Sequence, residues 1–198
     1  MEWIARIISK YLQNPSLSCA FGVIIYRDSD VHVRHLLEED SYCLALNEIS
    51  GQKWILLASR SGVRKRIRTM DALRIEHRGT LSRAWQNGQD KQKVLDSLGI
   101  HSEDQLPCLL VWTVSGEQAI VQSVKIRGGS TNEAYESLKD SVCAVTEAID
   151  GVSAGNQKNA EGVAAAIQLR LKADLHRSYA LSSVPFLSWL IALASGLI

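Results

Sequence analysis

The chain has no closely spaced pair of cysteines. Cys19, Cys43, Cys108 and Cys143 lie 24, 65 and 35 residues apart, which fits neither a zinc ribbon or finger nor a C-x-x-C redox motif. Three of them sit inside apolar runs, where an unpaired cysteine packs as a small hydrophobe. This usage points to a reducing compartment. An excess of one charge is lacking too: 22 Lys and Arg stand against 21 Asp and Glu, for a net charge of +1. No global field therefore draws the molecule to nucleic acid or to an anionic membrane, and any electrostatic function rests on local clusters. No internal repeat or low-complexity tract is found. Met1–Leu12 carries Glu2, Arg6 and Lys10 and has no small-residue cleavage site, so it does not read as a secretory signal. The last 21 residues, Ser178–Ile198, contain no charge at all.

What is present suits a folded α/β domain. The chain has 198 residues, 46% of them hydrophobic and 22% charged, enough for one domain with a substantial core. Trp3, Ile4, Ile7, Ile8, Tyr11 and Leu12 recur at helical spacing, and Asn14-Pro15 ends that helix. Residues 19–26 (CAFGVIIY) and 53–58 (KWILLA) read as buried strands. Between them, Asp28-Ser29-Asp30 supplies N-cap residues for a helix over 31–48. A helix is expected over 89–98, ending at Gly99. Pro107 then opens an apolar strand, and the Ser115-Gly116 turn leads to a second strand over 119–126. Thr131 is placed to cap a helix whose apolar stripe is Ala134, Leu138, Val142, Val145 and Ile149. The small, polar stretch 151–159 reads as a linker closing a domain over 1–150, followed by a charged helix from about 160 to 177 and the uncharged tail.

A proline heading a strand that reads as buried on both faces is unusual, because proline cannot donate to a sheet ladder. The segment Pro107 to Val145 resembles the thioredoxin-like family. Pro107, the strand Leu109-Leu110-Val111-Trp112, Gly116, Gly128 and the helix over 134–149 fill the family's roles in order. The resemblance extends over residues 1–150 and implies a mixed sheet with flanking helices, here with a basic insertion at 60–88 and a C-terminal helix and hydrophobic tail. It also implies a cis bond before Pro107 and a backbone at Leu106 that pairs with an extended peptide. Members with dithiol activity carry C-x-x-C at the start of the helix after the central strand. Here that place holds Val31-His32-Val33-Arg34, and no cysteine lies between Cys19 and Cys43. The chain therefore looks like a redox-inactive member. Cys108, just after the proline, reads as a core residue.

Two other patterns carry bland and sharp readings. Asp28, Asp30, His32 and His35 have a spacing that metal sites use, but no third strong ligand is fixed by it, so no metal is assigned. Arg60, Arg64, Lys65, Arg66 and Arg68 form a basic patch able to meet phosphates or lipid headgroups. The run lacks interleaved aromatics for base stacking, which disfavours nucleic acid and favours a solvated or partner-facing loop.

The tail supplies the remaining signal. Tyr179–Ile198 is 20 uncharged residues, and ~20 helical residues span the ~30 Å hydrocarbon core. Arg170, Lys172, His176 and Arg177 precede it, which orients the folded domain to the cytoplasmic side. The competing reading docks this tail on protein. The expectation is thus a non-catalytic thioredoxin-like binding or adaptor module, held at a membrane through 178–198 and needing no cofactor. Its recognition surface would be Asp28, Ser29, Asp30, Val31, His32, Arg34, Leu106 and Pro107. The partner would be a protein or peptide, with self-association of the chain also open. Alternatives are a membrane-inserting effector whose globular domain controls oligomerisation, and a thiol-dependent oxidoreductase using Cys108 or Cys19.

Overall fold

The computed structural model describes residues 20–27, 29–50, 54–58, 100, 102–115, 118–152, 160–175 and 179–185. In chain order these form β1 (Ala20–Ile25), α1 (Val31–Glu38), α2 (Asp40–Ser50) and β2 (Trp54–Ala58). A 3-10 turn (Glu103–Gln105), β3 (Cys108–Ser115), β4 (Gln118–Lys125), α3 (Thr131–Gly151), α4 (Ala160–Leu175) and β5 (Tyr179–Pro185) follow. The strands make one mixed sheet in the order β2-β1-β3-β4-β5.

The strands pair according to how the chain connects them. β1 and β2 are parallel, with Ala20 opposite Trp54 and Gly22 opposite Leu56. A parallel pair needs a crossover, and α1 and α2 fall within it. β3 runs antiparallel to β1, placing Ile24 opposite Leu109 and Phe21 opposite Trp112. β3 and β4 form a hairpin in which Ser115 faces Gln118 across residues 116–117. On one face of this sheet, Ala20, Ile24, Trp54, Leu109, Val111 and Val124 join a single core with residues from all four described helices. Leu36 and Leu37 of α1, Leu46 of α2, Leu138 and Val142 of α3, and Val163 and Ile167 of α4 complete it. The opposite face is closed as well: Phe21, Val23, Leu110, Trp112 and Val121 are all buried. There Phe21 and Trp112 stack with ring centroids 5.5 Å apart. Burial on both faces explains why these strands read as continuous apolar runs instead of alternating ones.

Three sequence expectations change. The helix foreseen over 31–48 is two helices, α1 and α2, divided at Glu39, whose backbone is extended (φ −88°, ψ 122°). The cap of α3 is Ser130 rather than Thr131: the Ser130 hydroxyl accepts a hydrogen bond from the Glu133 amide at 3.1 Å. Beyond the polar stretch that follows Gly151, Val163, Ile167 and Leu171 of α4 enter the same core as the earlier elements. The largest change concerns the tail. Its first seven residues form β5, antiparallel to β4 from Val124–Tyr179 to Gln118–Pro185. Among the described residues no helix is long and apolar enough to cross a membrane. The helices expected over 3–12 and 89–98, the basic patch Arg60–Arg68 and residues 186–198 lie outside the described residues, as does Asp28.

Candidate binding surface

The corner where β1 ends and β3 begins is organised by one arginine and one aspartate. Asp30 stands at the N-cap position of α1, and its carbonyl accepts from Arg34 N at 3.0 Å, the first helical bond. Its carboxylate does not cap the helix. It turns back and accepts from Arg27 N at 2.6 Å, from Arg27 Nε at 3.2 Å and from Arg27 Nη2 at 2.9 Å. Asp30 N in turn donates to Arg27 O at 2.9 Å. The turn 27–30 is thus closed by both backbone and side chain. A guanidinium held at two nitrogens by one carboxylate keeps a defined direction, and the direction here is toward the loop before β3. Arg27 Nη2 lies 3.4 Å from the Leu106 carbonyl oxygen.

The Leu106–Pro107 bond is cis. Pro107 O accepts from Ile126 N at 2.7 Å, which ties the loop to the end of β4. Leu106 and Pro107 are both buried. Across the same corner, His32 Nδ1 of α1 is 3.4 Å from Thr131 Oγ1 at the start of α3. The structure therefore brings together the end of β1, the first turn of α1, the entry to β3 and the first turn of α3.

Of the residues expected at a recognition surface, Ser29 and Val31 are exposed, Val31 by 48%. His32 and Arg34 are half-buried. Asp30 is engaged with Arg27, so it shapes the corner and does not face outward as a free carboxylate. The Leu106 backbone was expected as an open pairing edge. Its carbonyl lies 3.4 Å from Arg27 Nη2, at the outer limit of hydrogen-bond distance. Arg27 and Thr131 are the two participants that sequence reasoning missed. The signal available for Arg27 was an Arg-x-x-Asp spacing straight after a buried strand. Thr131 gave none beyond its use as a cap.

The cysteines do not assemble a thiol centre among the described residues. Cys108 is fully buried, and burial, with a smaller contribution from the Asp30 charge, pushes its thiol far above the ordinary value. A thiol so placed stays protonated and is a poor nucleophile. Cys143 is half-buried and is also pushed up, by burial and then by Glu147. Cys43 Sγ donates to Leu37 O at 3.4 Å. Cys19 lies outside the described residues. No group of three His, Cys, Asp or Glu side chains suited to a metal occurs among the described residues. No family model, curated protein or solved structure matches the chain.

Proposed function

We propose that the chain is a non-catalytic binding module of thioredoxin-like topology, attached to a membrane through its uncharged C-terminal segment. The observation that carries the binding reading is the corner itself. A parallel β1–β2 pair, an antiparallel β3–β4 hairpin beside β1, and helices α1 and α3 on one face are the layout that the family resemblance implies. In that layout the start of α1 meets the loop before β3, and here the Arg27–Asp30–Leu106 contacts join them. The place where dithiol members carry cysteines holds Val31-His32-Val33-Arg34. An exposed valine beside half-buried His32 and Arg34 is suited to contact, not to redox chemistry.

The test uses the full chain as bait in two surface variants. Val31→Asp places a charge in the corner, whereas Leu44→Asp places one on α2, where Leu44 is 52% exposed. Loss of a captured protein in Val31→Asp with retention in Leu44→Asp supports the reading. Equal capture by both variants removes the corner from the interface. The thiol-dependent alternative is separated by replacing all four cysteines, which leaves capture unchanged if binding is the function.

Membrane attachment rests on a separate observation, the 20 uncharged residues from Tyr179 to Ile198 behind the cations Arg170, Lys172, His176 and Arg177. Basic residues beside an apolar segment favour the cytoplasmic face.

A further inference from the structure

Two buried polar atoms lie beneath α4 without a hydrogen-bond partner. Gln122 of β4 and Thr113 of β3 are each 1% exposed, and neither Gln122 Oε1 nor Thr113 Oγ1 is paired among the described residues. The register brings the two side chains together. Val111 pairs with Gln122 and Thr113 with Ile120, so Gln122 and Thr113 are diagonal neighbours on one face of the hairpin. That is the face of Val111, which shares a core with Val163, Ile167 and Leu171 of α4. Gln122 Nε2 donates to the Ala164 carbonyl oxygen of α4 at 2.8 Å. This bond fixes which way the amide is turned, because the reverse orientation would set two oxygens against each other. Gln122 Oε1 is therefore an acceptor held in place, and the Thr113 hydroxyl offers a donor on the neighbouring strand.

We propose that an ordered water molecule is bound between β3, β4 and α4, donating to Gln122 Oε1 and accepting from the Thr113 hydroxyl. A buried donor or acceptor left unmade carries the desolvation cost of that group. Water has both donors and acceptors, so one molecule serves an amide oxygen and a hydroxyl at once. Neither side chain is charged, which gives a metal ion or an anion nothing to offset its own dehydration. Diagonal neighbours in an antiparallel pair have Cα atoms ~7–8 Å apart, a separation that long side chains reach across. Ala164, whose carbonyl meets the Gln122 amide, has a side chain that ends at Cβ and leaves space beside that amide. Bound there, the water extends the Gln122–Ala164 bond into a chain running from α4 through β4 to β3.

A crystal structure of the full chain, at a resolution that orders internal solvent, tests this directly. The expected result is a water oxygen ~2.5–3.0 Å from both Gln122 Oε1 and Thr113 Oγ1. A protein atom bonded to either of them, a dry interface, or a water that meets only one of them overturns the proposal. In solution, oxygen-17 magnetic relaxation dispersion counts long-lived internal waters. The full chain carrying Gln122→Met and Thr113→Val, which removes both polar groups, should hold one fewer than the wild type, since apolar cavities stay dry. An unchanged count in the folded double variant overturns the proposal. Should that variant not fold, the wild-type crystal structure decides.

Discussion

Replacing Gly22 by alanine probes how the helix face of the sheet is packed. Gly22 lies in the middle of β1, between Ala20 and Ile24, and faces Leu56 of β2. A Cβ at this position would sit 2.5 Å from Cζ3 of Trp54 and 3.2 Å from Cδ1 of Leu56. The indole is not free to move aside. Trp54 is 2% exposed, and its Nε1 donates to Thr146 Oγ1 of α3 at 3.0 Å. The Thr146 hydroxyl is itself placed between the Val142 and Ile49 carbonyls, at 2.9 and 3.1 Å. Relief of the clash therefore displaces the ring and breaks a bond that links β2 to α3. Overpacking of this kind costs ~1–3 kcal/mol and a lost hydrogen bond ~1 kcal/mol, together about 2–4 kcal/mol. For a chain of this length that lowers Tm by roughly 5–15 °C, readable by circular dichroism. In a Trp54→Leu background the cost of Gly22→Ala should shrink, because the atom that is struck has gone, and the double mutant should be less destabilised than the two single substitutions summed. A Gly22→Ala protein with the wild-type Tm would refute this packing.

Ser130→Ala removes the cap of α3 and should destabilise the fold by ~0.5–2 kcal/mol, measured by urea unfolding. Thr131→Ala should cost less, since Ser130 holds the Glu133 amide. Cys108 should react with a maleimide only on unfolding, while half-buried Cys43 and Cys143 react in the native protein. Because burial raises the Cys108 thiol pKa, the folded state keeps its proton when the unfolded chain loses it above the ordinary value of ~8.5. Its stabilising contribution is therefore full below ~pH 8.5 and declines above it by up to ~1.4 kcal/mol per pH unit. Cys108→Ala should flatten that alkaline decline, and an unchanged slope would show that the thiol does not couple to folding.

The core elements were legible because their signals were local. Residues 19–26, 53–58 and 107–112 have the short β-branched runs of doubly buried strands, and β1, β2 and β3 fall within two residues of the expected starts. The stripe from Ala134 to Ile149 marked α3 for the same reason. The division at Glu39 was not legible, because no Gly or Pro marks it and apolar periodicity continues through 31–48. β5 was hidden for a different reason. An uncharged run carries no polar face, so its period cannot tell strand from helix, and pairing with β4 is decided by tertiary structure. At the corner, Asp30, Val31, Leu106 and Pro107 were visible as chain punctuation. The part played by Arg27 was not, because its contact with Leu106 joins residues 79 positions apart.

The corner at the start of α1 is proposed to meet a protein partner. In-cell photocrosslinking with benzoylphenylalanine in place of Val31 tests it most directly, with the same substitution at Leu44 for comparison. A discrete adduct from position 31 and none from position 44 is the result expected here. Adducts from position 44 alone, or from neither position, would contradict it.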